Sequence, residues 1–405
     1  MKRVELLAPA GDLEKLKIAI LYGADAVFIG GKKFSLRAKA SNFTLEDIKE
    51  GCDFAHKFNK QVHVTVNIYP HELDLDGLKE YLIALDKCGV DAIIVSSLYI
   101  MKVALSLNLN LEVHVSTQLS SNNSKTVEFF KEFGVNRVVL GRECTIDEIK
   151  EIKRKSGLDI EVFIHGGLCS SYSGRCTLSN NLCNRDANRG GCAHSCRWFY
   201  DLYFNDEKVN DDEHKFRIGS KDLCGVNQLI NLLDAGVDSL KIEGRMKSLH
   251  YIATVVNNYR KLIDAYYENR VTNELVLEIE KEIRKVENRP LTEGYLKGYI
   301  DHNDIIYEQD DKTSLQDFLG LILDYDEESK LIKLYRKNYF KVEEEIEIFK
   351  YDDNNSTFVL KELFDKDMNP IEIANKSDEI VYVRCNEFVK KDYMLRRVKK
   401  RAKSF

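Results

Sequence analysis

The chain alternates short apolar runs with longer segments in which apolar residues recur every three or four positions, and this pattern dominates its first 270 residues. The runs are rich in β-branched residues and apolar throughout, which is typical of parallel strands covered on both faces. Eight such strands are predicted, at residues 4–8, 25–30, 61–67, 91–97, 111–118, 137–143, 159–165 and 239–244. The segments between them have helical spacing, so the pattern predicts repeated βα units.

A recurring junction supports this repeat. Four similar segments, each beginning with glycine, join the end of a helix to the start of a strand; they begin at Gly23, Gly89, Gly134 and Gly236. Glycine provides the left-handed residue that closes a helix. Eight βα units predict an α/β fold of the TIM-like (β/α)8 barrel type, and a doubly wound open sheet is the alternative because a sequence does not show closure.

The strand pattern also divides the chain. We expect a barrel domain over residues 1–300 with a long cysteine-rich insertion after strand seven at 166–220, followed by a helix near 223–235. Such a loop would lie on the C-terminal face of the barrel, where active sites are built. Short strands separated by acidic turns predict a small antiparallel β-barrel domain at 316–390. Residues 391–405 are expected to form a basic tail that is either solvated or in contact with phosphates.

Composition limits the function classes. The net charge of −6 argues against a protein that coats nucleic acid, but it does not exclude a local basic patch on the surface. No apolar run approaches the roughly 18 residues that a membrane span needs, and the first residues lack the apolar core of a signal peptide. We therefore expect a cytoplasmic protein without membrane contact, whose cysteines are thiols or ligands.

The cysteine-rich insertion predicts a metal centre. Its ligand candidates form two pairs, Cys169 with Cys176 and Cys192 with Cys196, in a glycine-rich segment that can wrap closely around an inorganic core. Structural zinc prefers tight pairs at both ends, and the first pair is too wide for that. Thiolates at irregular spacing favour a [4Fe–4S] cluster, with zinc or no metal as the alternatives.

The identity of the four ligands stays open at this point. Cys183 or Cys224 could replace one of them, and His194 lies between Cys192 and Cys196. A lone loop histidine is more often a hydrogen-bonding residue than a ligand.

Several segments of the chain resemble the collagenase-like peptidase family thirty-two, of unassigned catalytic type. The resemblance covers nearly the whole chain and rests on Leu7-Ala-Pro-Ala-Gly, Val115-Ser-Thr-Gln, Glu161-Val-Phe-Ile-His-Gly-Gly-Leu-Cys, Tyr172-Ser-Gly-Arg-Cys, Asn188-Arg-Gly-Gly-Cys and Lys241-Ile-Glu-Gly-Arg. It implies a tRNA uridine 5-hydroxylase that makes 5-hydroxyuridine at the wobble position, with an iron–sulfur cluster and with prephenate as cosubstrate or ligand. A sister branch hydroxylates a cytidine of 23S ribosomal RNA. The resemblance also implies tRNA and an electron donor as partners.

The resemblance leaves two alternatives. A peptidase is one, although the metalloprotease motif His-Glu-x-x-His and the serine motif Gly-x-Ser-x-Gly are both absent from the sequence. A non-catalytic iron–sulfur scaffold that needs a partner subunit is the other.

RNA hydroxylation would also require polar groups at the barrel mouth. The predicted anion-binding residues lie at or just past strand ends and are Arg142, Arg245, Lys241, Gln118 and Asn67. His165 is the candidate proton carrier, and Glu161 or Glu243 would orient it or pair with an arginine. The alternative is a structural salt-bridge network among Glu161, Lys241 and Glu243.

RNA-binding candidates interleave basic and aromatic side chains in the insertion, as single-stranded RNA requires. They are Tyr172, Arg175, Arg189, Arg197 and Trp198. For Trp198 a packing role is the alternative.

Overall fold

The computed structural model describes residues 3–36, 42–213, 215–286, 289–306, 317–376 and 378–398. They divide into two compact units, the first within 1–280 and 289–311 and the second within 281–288 and 312–405. None of the helices in these ranges is long and apolar enough to span a membrane.

The first unit is built on eight parallel strands that close into a barrel. The strands are β1 (Glu5–Pro9), β2 (Ala26–Gly30), β3 (Gln61–Val66), β4 (Ala92–Val95), β5 (Glu112–Val115), β6 (Arg137–Val139), β7 (Asp159–Gly167) and β11 (Ser239–Ile242). Each pairs in parallel with the next, and β11 pairs with both β7 and β1. This closure confirms the predicted (β/α)8 barrel and excludes the open sheet.

Helices alternate with the barrel strands, as the spacing predicted, and two further helices follow the last barrel strand, β11. These helices are α1 (Leu13–Leu21), α2 (Leu45–Lys57), α3 (Leu78–Lys87), α4 (Leu98–Ser106), α5 (Ser124–Phe133), α6 (Ile146–Ser156), α8 (Leu229–Asp234), α9 (Leu249–Tyr267) and α10 (Asn273–Arg284). At the start of α2, side chains cap the helix: the Thr44 hydroxyl accepts a hydrogen bond from the backbone N–H of Asp47, and the Asp47 carboxylate accepts one from the backbone N–H of Thr44. All four junction glycines have positive φ, between 77° and 113°.

The insertion after β7 contains elements that the sequence did not reveal. It carries the short helix α7 (Leu178–Cys183), the hairpin β8 (Tyr203–Phe204) with β9 (Glu207–Lys208), and the strand β10 (Asp222–Cys224). Strand β10 pairs antiparallel with the end of β7, and β12 (Leu291–Thr292) pairs with β10. The prediction of a helix near 223–235 is therefore wrong in its first residues, because Leu223 lies in strand β10 and helix α8 begins at Leu229.

The second unit is an antiparallel β structure. Its strands are β13 (Asp317–Asp326), β14 (Leu331–Arg336), β15 (Phe340–Lys341), β16 (Glu345–Phe349), β17 (Ser356–Val359), β18 (Leu363–Phe364), β19 (Ile373–Ala374), β20 (Ile380–Arg384) and β21 (Met394–Arg397). Seven of them form one sheet in the order β17-β16-β21-β13-β14-β20-β18. Between its edge strands β17 and β18 no pairing occurs within the described residues, so the sheet is not closed there.

The start of the predicted basic tail belongs to this sheet. Arg396 and Arg397 lie in β21; Arg396 is fully buried between Glu347 and Glu282, and Arg397 pairs with Asp317. The prediction of a tail from residue 391 is therefore wrong up to Arg397, because carboxylates of neighbouring elements neutralise these charges. Residues 399–405 lie outside the described residues.

Candidate active site

A cavity of about 240 Å³ opens at the C-terminal ends of the barrel strands, under the cysteine-rich insertion. Many predicted site residues line it together: Asn67, Gln118, Arg142, Lys241, Glu243, Arg245, Tyr172, Cys169, Cys176, Cys192 and Cys196. The carboxyl ends of parallel strands converge at one face of a barrel, which explains why residues far apart in sequence meet here.

The four paired cysteines share this cavity, whereas the other candidates for ligands do not line it. The Cys183 thiol donates to the carbonyl oxygen of Ser179 at 3.1 Å. Cys224 is buried in β10, opposite His165 on β7. The structure therefore groups the same four thiols that the spacing had paired.

Contacts with the barrel mouth fix the cysteine loop. The Glu143 carboxylate, just past β6, accepts the amide of Ser173 at 2.8 Å. Gly174 follows with φ of +73°, and a Cβ at this position would lie 2.1 Å from the carbonyl oxygen of Gln118. The Asn188 amide donates to the carbonyl of Cys176 at 3.0 Å. Sequence reasoning missed Glu143, Ser173 and Asn188, although the position of Glu143 at a strand end was a usable signal.

The thiols lie close enough to influence one another. Although Cys169 is exposed as a residue, surrounding protein atoms partly desolvate its thiol and raise its pKa, and the neighbouring Cys176 and Cys196 raise it further. The amide of Ser171 and the guanidinium of Arg142 act in the opposite direction. A positive group beside converging thiols favours their ionised form, which is the form that binds metal.

This donor set fits thiolate ligation of an iron–sulfur cluster in kind, because four cysteines line one cavity. Within the described ranges, no group of three or more His, Cys, Asp or Glu side chains is close enough together to coordinate a metal ion. Cys169 and Cys192 are exposed and lie in loop segments between the named elements.

Arg245 reaches the cavity from the loop after β11. Its guanidinium is 4% exposed and donates to the hydroxyls of Ser35 and Thr65 and to the side-chain oxygen of Asn42, at 2.8–3.4 Å. These three partners are neutral. The Gln118 side-chain oxygen, also on the cavity, is buried and accepts no hydrogen bond within the described residues.

Arg142 is held by two neighbours. Its guanidinium contacts the carboxylate of Glu243 at 3.3 Å and stacks over the Phe163 ring, 3.9 Å from the centroid. Glu243 therefore pairs with an arginine, which was one of its two predicted roles, and Arg142 lines the same cavity as the four cysteines.

Beneath the cavity, the barrel interior contains a buried ion-pair network. Glu161 is fully buried; its carboxylate lies 2.7 Å from the ammonium of Lys241 and 3.3 Å from the guanidinium of Arg137. Burial alone would raise the pKa of Glu161, but Lys241 and Arg137 hold it below its ordinary value. Glu5 completes the network on the far side of Arg137. Glu161 therefore neutralises cations and does not reach the cavity, so its predicted catalytic role has no geometric support.

His165 also lies away from the cavity. Its ring contacts the Tyr259 hydroxyl at 3.3 Å and packs against the rings of Tyr251 and Tyr259. Burial lowers the pKa of His165 to about 3, which keeps the imidazole neutral. The placement of His165 as a proton carrier at the mouth is therefore corrected: its side chain faces the aromatic residues of α9.

The predicted RNA-binding residues have different surroundings. Tyr172 lines the cavity and is 59% exposed, and Trp198 is also exposed. Arg175 lines a neighbouring groove. Arg189 is bound by Asp74 and the carbonyl of Tyr69, so its charge is neutralised by the protein. Arg197 packs against Gly167 and Gly219 in the insertion.

Comparison with known proteins places this site in a family. The chain is 43% identical to "tRNA hydroxylation protein P1" of Bacillus subtilis (strain 168) over 98% of this chain and 96% of that protein. It is 39% identical to "23S rRNA 5-hydroxycytidine C2501 synthase" of Escherichia coli (strain K12) over 66% of this chain and 40% of that protein. It is 33% identical to "Collagenase" of Porphyromonas gingivalis (strain ATCC BAA-308 / W83) over 73% of each chain.

Family models match both units of the chain. The model described as "Peptidase family U32" matches residues 11–305, and that described as "Peptidase family U32 C-terminal domain" matches residues 314–396. The predicted resemblance is thus confirmed, and the chain belongs to peptidase family U32.

Proposed function

We propose that this chain is an RNA-hydroxylating enzyme that converts the wobble uridine of tRNA to 5-hydroxyuridine in the cytoplasm, in an iron–sulfur-dependent and prephenate-linked reaction. The observation that carries this proposal is the convergence of four cysteines and several anion-binding side chains on one cavity at the barrel mouth. The relatives named for tRNA hydroxylation and for 5-hydroxycytidine synthesis support RNA hydroxylation as the reaction.

Cys169, Cys176, Cys192 and Cys196 would hold a [4Fe–4S] cluster as thiolates. Bound there, a cluster supplies electron transfer beside the substrate. The chain's own residues hold the loop in place: Glu143 anchors Ser173, and Asn188 anchors the carbonyl of Cys176. An electron donor would be a further partner.

Arg245 is the residue best placed to bind a carboxylate of prephenate. A guanidinium can hold a carboxylate with two parallel hydrogen bonds, and the side chains of Ser35, Thr65 and Asn42 hold the guanidinium of Arg245 at the cavity. Lys241 and Arg142 add positive potential but are already paired with Glu161 and Glu243. A dicarboxylate in this cavity would therefore meet three cationic side chains.

The target uridine must leave its stack to reach this cavity. Enzymes that modify a base hold the extruded base between apolar or aromatic faces and read its polar edge. Tyr172, exposed at the cavity rim, provides a stacking face, and the free acceptor oxygen of Gln118 suits an N–H group of the base.

The proposal is tested by nucleoside analysis of tRNA from cells in which this chain is the sole source of the activity. Wild-type chain should restore 5-hydroxyuridine, and Arg245→Ala should reduce it strongly, with the protein level unchanged. Full restoration of 5-hydroxyuridine by a variant lacking all four cavity cysteines would refute cluster-dependent catalysis. If 5-hydroxyuridine were restored only when one stoichiometric partner subunit is also supplied, the chain would instead be a non-catalytic scaffold.

Peptide hydrolysis is the second candidate, favoured by the relative named "Collagenase". A cysteine peptidase needs a histidine within hydrogen-bond reach of its thiol. His165 contacts Tyr259 and does not line the cavity that Cys169 lines. Cleavage of gelatin by anaerobically purified protein, abolished by Cys169→Ala, would revive this function.

A further inference from the structure

A second depression adjoins the cysteine cavity. It encloses about 570 Å³ and meets the first cavity at Leu178, which lines both. Arg175 and Arg217 contribute its positive charge, and Phe216 and Asn181 line it as well. We call this depression the Arg175–Arg217 groove.

The two arginines of the groove carry charge that the protein does not neutralise. Neither forms an ion pair with a carboxylate in the part of the chain that the structure describes. The Arg175 Nε group donates to the neutral hydroxyl of Ser120 at 3.2 Å. The Arg217 guanidinium lies 5.1 Å from the Phe199 ring centroid, and its Nε is buried without a hydrogen-bond partner in the described residues. Two oriented guanidinium groups without counter-ions favour an anion with several oxygens.

The groove also offers a surface for a planar ligand. Phe216 is 36% exposed, and its backbone is held by two hydrogen bonds to Tyr200, at 2.8 and 2.9 Å. An isolated antiparallel β-bridge therefore fixes the backbone from which the Phe216 ring extends at the groove. Asn181, at the same groove, carries a side-chain amide that can both donate and accept hydrogen bonds. Positive charge beside an exposed aromatic ring is the combination that binds single-stranded nucleic acid.

We propose that the Arg175–Arg217 groove binds a phosphodiester and a stacked base of single-stranded RNA, one or two nucleotides from the base that enters the cysteine cavity. This proposal rests on the proposed RNA hydroxylation and adds the path that the RNA strand follows into the cysteine cavity. A groove that meets the cavity at Leu178 guides a strand into it, which a separate small-anion site would not do. Arg189, Arg197 and Trp198 are not needed for this contact.

The test is the affinity of the full-length, anaerobically purified protein for an anticodon stem–loop RNA, measured by fluorescence anisotropy at several salt concentrations. Each phosphate contact with single-stranded RNA adds about 0.7 to the slope of log affinity against log salt. The R175Q/R217Q variant should therefore bind more weakly, with a slope smaller by about 0.7, because the two arginines share one phosphodiester. Phe216→Ala should weaken binding about tenfold through lost stacking and leave the slope unchanged. Arg154→Gln is the matched control, because Arg154 lies on α6, outside the groove, and pairs with Glu151.

The outcomes distinguish a failure of the proposed RNA-binding groove from a failure of the proposed RNA hydroxylation. Wild-type affinity and slope in R175Q/R217Q, with 5-hydroxyuridine still formed in cells, would overturn the groove and leave the proposed function intact. Failure of the wild-type protein to bind the stem–loop or to hydroxylate tRNA would overturn both. Unchanged RNA binding with lost affinity for uridine monophosphate would identify a small-anion site and also overturn the proposal. Circular dichroism and the melting temperature confirm that each variant is folded.

Discussion

The carboxylate of Glu161 and the ammonium of Lys241 form a 2.7 Å salt bridge inside the barrel, where both side chains are at least 95% buried. The pair joins β7 to β11, the two strands whose pairing completes the closed sheet. The Lys241 ammonium also lies 4.5 Å from the Phe28 ring centroid. This geometry makes Glu161 the counter-ion of the barrel interior, and Lys241 is the link between that interior and the cavity above it.

Removal of Glu161 should destabilise the protein severely. Glu161→Ala leaves Lys241 and Arg137 buried with less negative charge, and breaking such a pair typically costs about 3–5 kcal/mol. Urea denaturation followed by circular dichroism measures the free energy of unfolding. The joint variant Glu161→Met with Lys241→Met should be less destabilised than Glu161→Ala, and Glu151→Ala on the surface should match wild type. A loss below about 1 kcal/mol in Glu161→Ala would contradict a structural role for the pair.

Mild acid should destabilise the fold through its buried histidines. Burial lowers the pKa of His114 and of His165 from 6.5 to about 3, and that of His63 well below 6.5. The unfolded chain takes up protons below pH 6.5 and the folded chain does not, so the free energy of unfolding falls as the pH falls. Each histidine contributes about 1.4 kcal/mol per pH unit well below its unfolded pKa.

The measurement is the urea midpoint between about pH 5 and 6.5, where surface carboxylates stay ionised. His165→Gln should reduce the slope of stability against pH, because one of the histidines whose pKa burial lowers is then removed. His71→Gln removes an exposed imidazole and should keep the wild-type slope. An unchanged slope in His165→Gln would show that this ring is not held neutral by burial.

Gly174 should be irreplaceable for the placement of the cysteine loop. Gly174→Ala combines a left-handed backbone with a Cβ 2.1 Å from the carbonyl oxygen of Gln118, so the loop must move. Gly236→Ala has a similar φ of +77° and no heavy atom within 4 Å of its Cβ, which makes it the matched control for backbone strain of about 1–3 kcal/mol. We expect loss of bound iron in Gly174→Ala alone. Equal iron content in both variants would show that the close approach to Gln118 does not position the cysteines.

Binding of prephenate should depend on the planar geometry of the Arg245 guanidinium as well as on its charge. Arg245→Lys keeps one positive charge but loses the planar fork, so prephenate should bind about ten- to a hundredfold more weakly by titration calorimetry. Arg260→Lys is the control, because Arg260 pairs with Asp25, which precedes β2 at the opposite end of the barrel. Wild-type affinity in Arg245→Lys would remove Arg245 as the carboxylate anchor.

The sequence was sufficient for the barrel because its signals are local and repeated. Apolar strands and glycine junctions depend on neighbouring residues only, and all eight strands occur where the pattern predicted them. The grouping of the four cysteines was also predictable, because they are close in sequence. Leu223 was misassigned since an apolar run of that length suits a strand or a helix equally well.

The roles of individual charged residues were harder to predict. Glu161 and Lys241 are 80 residues apart in sequence, and their contact depends on barrel closure and on the direction in which each side chain points. His165 lies at a predicted strand end, but its side chain turns toward Tyr251 and Tyr259. Arg217 was not identified from the sequence, because what distinguishes it is that no carboxylate among the described residues pairs with it, and pairing depends on the fold.

The proposed function requires that the cavity cysteines hold the iron–sulfur centre of an RNA hydroxylase. The most direct test of this requirement is the iron and sulfide content of anaerobically purified protein. Wild-type chain should contain about four irons and four sulfides. Cys176→Ser should lose most of both. Cys183→Ser should retain them, because Cys183 donates its thiol to the Ser179 carbonyl and does not line the cavity. One tightly bound zinc without iron, or full iron content in Cys176→Ser, would contradict the account.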